Sequence, residues 1–156
     1  MRLGRLDVTI DGSRMTFVGR IDDGSVLGEL PAKLPVGDLV IDTSGVTFIN
    51  SIGMREWMRL VRVLRGRGTI TLERVADVLI TQMNLIPEFA GSVKITSFHA
   101  QYVCGSCGAE PAPIVDAVAH AEALRRMQAP RLPCPECGAQ MELGDFPERY
   151  LTVFRT

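Results

Sequence analysis

The sequence lacks most features of a membrane protein, a secreted protein or a strongly charged nucleic-acid-binding protein. Aromatic residues make up 6%, and 17 basic against 18 acidic side chains leave a formal net charge of −1. This balance provides no strong attraction to nucleic acid or to an acidic membrane. No run approaches the ~18 apolar residues of a membrane span, and the first residues lack the apolar segment of a secretory signal. We therefore expect a cytoplasmic protein with no membrane partner.

Motifs of catalysis are also missing. The glycines are scattered at expected turns instead of forming a phosphate-binding loop, and we recognise no Ser, His and Asp set and no metal site with a vacant position. We therefore predict that the protein is not an enzyme. Its 156 residues, 46% of them apolar, suffice for one large domain or two small ones with a hydrophobic core.

The positions of the cysteines divide the chain. Residues 1–99 contain none, whereas residues 100–156 contain all four, and we predict one domain in each range. Apolar periodicity in the first range alternates between strand-like and helix-like patterns. The predicted elements are a hairpin at 6–18, a short helix or loop near 25–34, a strand at 39–41, a helix at 52–65, a strand at 69–72, a helix at 75–85 and a strand at 93–96. This order predicts an α/β fold in which helices pack against a mixed sheet.

One segment of the first range resembles a known family. Residues 39–53 read LVIDTSGVTFINSIG, and a helix rich in Leu and Arg follows before GRGTITL at 66–72. Over roughly residues 5–98 this pattern resembles the STAS family, the sulphate-transporter and anti-sigma-factor-antagonist domains. The resemblance implies a STAS-like fold and, without membrane spans, the antagonist branch. It places Ser51 at the position that a partner kinase phosphorylates, with Asn50 replacing an acidic residue and Ile52 a hydroxyl residue.

The resemblance also implies a partner-binding surface beside Ser51, where an anti-sigma kinase or a serine-phosphatase-like regulator would bind. The residues assigned to this surface are Asn50, Ser51, Ile52, Gly53, Arg55, Arg59 and Arg62. Independently of the family, a phosphate at a helix start is favoured by the unpaired backbone N–H groups and by the helix dipole. Two other interpretations remain open: Ser51 or Asn50 is simply a helix cap, and the arginines are the solvated side of the helix.

The four cysteines form two copies of one motif, CGSCG at 104–108 and CPECG at 134–138. Two residues between cysteines let both sulfurs face one ion, and the following glycine permits a positive φ. This range resembles a zinc ribbon, so we predict that Cys104, Cys107, Cys134 and Cys137 hold a structural zinc ion, although iron is not distinguished. Disulfides and a redox Cys-x-x-Cys pair are the alternatives. Because four sulfurs complete the shell, His99 and His120 are not expected to be ligands.

The segment between the two motifs has helix signals of its own. Pro113 suits a first helical position, alanines follow, and Arg125 and Arg126 suit a last turn, which predicts an inserted helix at about 113–126. Residues 141–143 and 150–154 predict a terminal hairpin.

These features together predict a non-enzymatic bacterial signalling protein of the anti-sigma-factor-antagonist type. It would act as a switch or scaffold that binds a regulatory protein and is gated by phosphorylation of Ser51. The alternative is a zinc-ribbon adaptor for nucleic acid or the transcription machinery, although the second range carries five basic and seven acidic side chains. A purely structural scaffold, in which Ser51 is never modified, is a third possibility.

Overall fold

The six strands of the N-terminal part form one mixed sheet. The structure is a computed structural model that describes residues 1–155. The strands are β1 (Arg2–Leu3), β2 (Leu6–Asp11), β3 (Arg14–Ile21), β4 (Leu39–Ile49), β5 (Ile70–Glu73) and β6 (Lys94–Ile95), and their order in the sheet follows the chain. Neighbours are antiparallel from β1 to β3 and parallel from β3 to β6. The prediction of an α/β protein with a mixed sheet is confirmed.

The predicted hairpin at 6–18 is present as β2 and β3. Gly12 takes φ +60° in the turn between them, a conformation that glycine adopts without strain. Leu6 and Val8 on β2, and Met15 and Phe17 on β3, are buried, which gives the alternation expected of strands with one covered face.

Strand β4 is much longer than predicted. The sequence indicated a strand at 39–41 followed by a turn, but the extended backbone continues to Ile49 because β3 pairs with it in parallel along most of its length. Gly45 lies against β3, where a Cβ atom would come within 2.9 Å of the Phe17 carbonyl oxygen. A residue with a side chain would therefore force the two strands apart.

Two helices pack on the sheet. Helix α1 (Ser51–Arg65) buries Met54, Trp57, Leu60, Val61 and Leu64, which matches the predicted helix and its apolar face. Helix α2 (Asp77–Met83) is shorter than the predicted 75–85. Short 3-10 turns lie at Leu27–Glu29, Pro31–Lys33 and Pro87–Phe89, and the first two occupy the region where a short helix or loop was expected.

The C-terminal part contains two small sheets and two short helices. Its elements are β7 (Ser97–His99), β8 (Tyr102–Val103), β9 (Ile114–Asp116), α3 (Ala121–Arg125), β10 (Leu132–Pro133), β11 (Gln140–Leu143) and α4 (Pro147–Leu151), followed by a 3-10 turn at Thr152–Phe154. Strands β10, β11 and β8 form a three-stranded antiparallel sheet, and β7 pairs with β9.

Two sequence predictions for this part are wrong. The predicted helix at 113–126 is a strand at Ile114–Asp116, and helix occurs only over Ala121–Arg125. The β-branched Ile114 and Val115 favour a strand, and they pair with β7. The predicted terminal hairpin is replaced by α4. Pro147 occupies its first turn, as is common in helices, and Tyr150 and Leu151 are buried against the rest of the fold.

The two parts share one hydrophobic core. Buried side chains of β8, β9, α3 and α4, such as Tyr102, Val115, Leu124 and Leu151, belong to the same continuous cluster as those of the large sheet. Strand β7 runs on from β6, and His99 N–H donates to the Val75 carbonyl at 2.8 Å. Within residues 1–155, no helix is long and apolar enough to cross a bilayer.

Candidate functional site

Ser51 is exposed at the first residue of α1. The cap of this helix is Asn50, whose side-chain oxygen accepts a hydrogen bond from Gly53 N–H at 2.8 Å. The capping role that the sequence left open between these two residues therefore belongs to Asn50. The Ser51 hydroxyl therefore has no capping role at the start of α1.

The other two residues of this turn differ in exposure. Ile52 is 43% exposed, whereas Gly53 is buried. A Cβ atom on Gly53 would lie 2.0 Å from the Ile21 carbonyl oxygen, so glycine permits the close approach of α1 to β3. Gly53 thus positions the helix start, and its own surface is not available to a partner.

The arginines of α1 are not equivalent. Arg59 contacts Glu56 at 3.1 Å, and Arg62 forms a two-point pair with Glu88, with Nε to Oε2 at 2.9 Å. Hydrogen bonds from Arg62 hold the pKa of Glu88 below its ordinary value. Arg55 is exposed and makes no ion pair with residues 1–155.

Ser51 and Arg55 border a shallow apolar groove between α1 and α2. Met54 and Met58 of α1 and Leu85 and Ile86 after α2 contribute most of its surface, and the cavity measures about 310 Å³. Leu85 is 73% exposed. Because Ser51 and Arg55 are four residues apart, they lie on the same side of the helix, one turn from each other.

A buried ionic cluster at the middle of β4 was missed by the sequence analysis. Asp42 is 1% exposed, and its carboxylate accepts hydrogen bonds from Arg74 Nε at 2.9 Å and from the Ser44 N–H and hydroxyl at 2.9 and 2.8 Å. Burial raises the pKa of Asp42, but these hydrogen bonds outweigh burial and leave it below its ordinary value. Asp42 and Arg74 are 32 residues apart in the sequence, so no local sequence pattern predicts their contact.

The four cysteines come together in the C-terminal part. All four Sγ atoms lie within 4.8 Å of one another, with 3.5 Å from Cys104 to Cys137 and 3.6 Å from Cys107 to Cys134. They are free thiols. The structure therefore brings together all four residues that the motif predicted as metal ligands.

The two motifs have the same backbone geometry. Cys104 N–H donates to the Ala109 carbonyl and Gly108 N–H to the Cys104 carbonyl, both at 2.9 Å. The second motif repeats both bonds at Cys134 and Gly138, at 2.7 and 2.9 Å. Gly108 and Gly138 take φ +76° and +78°, which is the positive φ predicted for these positions.

This arrangement fits a tetrahedral metal ion. Zn–S bonds of about 2.3 Å in a tetrahedron place the sulfurs about 3.8 Å apart, close to the spacing observed. The N–H groups of Cys107 and Ser106 lower the pKa of the Cys104 thiol to about 6. Although the N–H of Ala109 favours the Cys107 thiolate, hydrogen bonds with Cys134 and Cys104 raise its pKa to about 12. Four clustered sulfurs cannot all ionise without a cation, so metal binding there would release protons.

The two histidines lie outside this cluster. His99 Nδ1 is 2.9 Å from the Ala112 carbonyl oxygen, and His120 precedes α3 and lines a separate cavity. Neither belongs to the set of ligand atoms around the four sulfurs.

Comparisons with protein-family models, curated proteins and solved structures found no match to this chain.

Proposed function

We propose that this protein is a non-enzymatic, cytoplasmic bacterial signalling module with a STAS-like N-terminal part, and that it acts as a switch or scaffold of the anti-sigma-factor-antagonist type. Its partner is a regulatory protein such as an anti-sigma kinase or a serine-phosphatase-like regulator. One observation carries the proposal: an exposed hydroxyl, that of Ser51, stands at the start of a 15-residue helix and borders an apolar groove.

The chemistry of this corner suits a charge-controlled contact. The groove offers apolar surface for a partner, and Arg55 offers a cation without an internal counter-ion among residues 1–155. A phosphate on Ser51 would add nearly two negative charges next to this cation. It would neutralise Arg55 and repel an acidic partner surface, which releases the partner without refolding the domain.

We further propose that the metal at the four cysteines is zinc and that its role is structural. Thiolates suit zinc, and a set of four sulfurs leaves no position for substrate. Purified protein should therefore contain about one zinc ion per chain, bound by four sulfurs. Iron in its place, or substantially less than one metal per chain in carefully reduced protein, would contradict this assignment.

The test of the switch uses Ser51 and a matched serine. Wild-type protein, Ser51→Ala and Ser13→Ala are incubated with native bacterial lysate and ATP, and phosphosites are mapped by mass spectrometry. Ser13 is an exposed serine in the β2–β3 turn, so it controls for accessibility. We expect phosphate on Ser51 in wild type and in Ser13→Ala. Absence of phosphate at Ser51, with phosphate elsewhere, would contradict the switch.

Partner capture provides the second arm. A prey retained by wild type and Ser51→Ala but lost with Ser51→Asp supports charge gating, and identical prey lists argue against it. Arg55→Ala in the Ser51→Asp background tests whether the cation takes part. The competing role as a nucleic-acid adaptor predicts oligonucleotide binding that weakens steeply with salt and is indifferent to Ser51.

A further inference from the structure

A second candidate site lies between the two parts of the molecule and shares no lining residue with the groove beside Ser51. A cavity of about 590 Å³ opens where the carboxyl ends of β5 and β6 face β9 and β10. Ligands of open α/β sheets bind outside the carboxyl ends of parallel strands, and the volume falls in the range of small-molecule sites. The last residue of β5, Glu73, and residues that follow β5 and β6 form one wall, and residues of β9, the following turn and β10 form the other. The Glu73 carboxylate pairs with Arg14.

The first wall presents hydrogen-bond donors held in place by buried contacts. Arg74 has φ +47°, and its N–H donates to the Ser97 hydroxyl oxygen at 2.9 Å. Its Nε and Nη2 atoms bind Asp42, which fixes the guanidinium, while Nη1 contacts no acceptor among residues 1–155. The Arg74 side chain is 52% exposed, and both Arg74 and Ser97 line the cavity. Such a pair of donors suits a carboxylate.

The opposite wall presents an acceptor. One carboxylate oxygen of Asp116 accepts hydrogen bonds from the Val118 and Ala119 N–H groups, both at 2.9 Å. These bonds hold the pKa of Asp116 below its ordinary value. The other oxygen accepts nothing from the described part of the chain, and the ring of His120, also unbonded there, lines the same cavity. An ionised carboxylate with a free oxygen suits an ammonium group.

Between these walls the surface is apolar. Ile114 on β9 and Val118 after it are 45% and 62% exposed, although both are branched apolar residues. Leu132 of β10 completes this surface. The cavity is thus lined by exposed aliphatic side chains, a fixed cation and a fixed anion. This combination indicates a ligand that has an apolar body, an anionic group and a cationic group.

We propose that this cavity binds a small zwitterion with an apolar body, an apolar α-amino acid or a dipeptide of such residues. The ligand carboxylate faces Arg74 and Ser97, its ammonium group faces Asp116, and its apolar side chain lies on Ile114, Val118 and Leu132. Because both parts of the molecule line the cavity, an occupant would hold them together. This site is independent of the proposed role of Ser51.

The test measures binding of a matched ligand panel to the intact metal-loaded protein by heteronuclear NMR titration. L-leucine and leucyl-leucine are the zwitterions, N-acetyl-leucine lacks the cation and leucinamide lacks the carboxylate. We expect at least one zwitterion to shift the amide signals of Arg74, Ser97 and Asp116. The affinity of each blocked analogue should fall about fivefold, the loss expected for one partly exposed ion pair.

Variants then assign the contacts. Asp116→Asn keeps an oxygen that can accept from Val118 and Ala119, so folding should be unchanged while zwitterion affinity falls about fivefold. Glu110→Gln, an exposed acid outside the cavity, is the control and should bind like wild type. The proposal is overturned if no panel member binds at millimolar concentration, if the blocked analogues bind as well as the zwitterions, or if Asp116→Asn binds unchanged.

Discussion

The N-terminal and C-terminal parts of this chain are stabilised in different ways. Of the 37 buried apolar residues in the shared core, 27 lie in residues 1–99 and 10 in residues 100–155, and two of those 10 are the cysteines Cys104 and Cys134. Strands of the second part are two to four residues long. A large sheet with two packed helices can fold by burying apolar surface. About 55 residues with so few buried side chains need a further source of folding free energy, such as a bound metal ion.

The two parts are therefore vulnerable to different changes. The first part is closely packed and contains a buried ionic cluster around Asp42, whereas we propose that the second part depends on an ion held by its four clustered sulfurs. Substitutions and metal removal should therefore damage one part more than the other.

Removal of the metal should have the largest effect. Structural zinc sites contribute on the order of 10 kcal/mol to the folding of small domains. Chelation, or Cys104→Ser, should abolish amide-exchange protection around both cysteine motifs, while β3 and β4 remain protected. Exchange measured by mass spectrometry checks this, with Ser106→Ala as a control in the same turn. Equal loss of protection in both parts would mean that the first part does not fold without the metal.

The replacement Gly53→Ala should damage the first part selectively. The new Cβ would be 2.0 Å from the Ile21 carbonyl, and such overpacking against backbone costs about 3 kcal/mol. Chemical denaturation should show the loss, while metal content stays at the wild-type value. Gly28→Ala is the control because nothing lies within 4 Å of its Cβ position. Equal stability of the two variants would contradict the close contact of α1 with β3.

The replacement Asp42→Asn should reduce stability by about 2 kcal/mol, because Arg74 loses its charged partner. The pKa of Asp42 is lower in the folded protein than its ordinary value, so its contribution is present above the unfolded pKa and lost as pH falls through the folded one. The variant should therefore lose less stability than wild type between pH 7 and pH ~3. Denaturation curves against pH check this, with the exposed Asp11→Asn as control.

The smallest effect concerns the start of α1. Asn50→Ala removes the hydrogen bond to Gly53 N–H and should cost about 1 kcal/mol. Ser51→Ala removes no cap and should change stability by less than about 0.5 kcal/mol. If Ser51→Ala loses as much free energy of unfolding as Asn50→Ala, the Ser51 hydroxyl has a structural role. That result would weaken the case for a regulatory role.

Local patterns predicted the elements whose stability is itself local. The β2–β3 hairpin has alternating apolar residues and a glycine turn, the 15-residue helix α1 has an apolar stripe, and the metal motif sets the knuckle geometry within five residues. These features need no distant partner to be recognised.

Distant contacts explain most of the errors. The alanines at 117–123 favour helix, whereas the β-branched Ile114 and Val115 suit a strand, and β7, 15 to 19 residues earlier, pairs with them and buries Val115. The Asp42–Arg74 contact joins β4 to the residue after β5. The C-terminal helix is a different case, because Pro147 and Glu148 in its first turn were visible signals that the predicted hairpin overlooked.

The pairing of β7 with β9 has a consequence for any shortened version of this protein. A fragment that stops after residue 99 would lose β9 and expose the edge of β7 that pairs with it, while the other edge keeps its hydrogen bonds with Val75. Bare strands of this kind recruit strands from other molecules. We therefore expect such a fragment to self-associate more as its concentration rises. In the intact chain, β9 covers this edge of β7 and prevents such pairing.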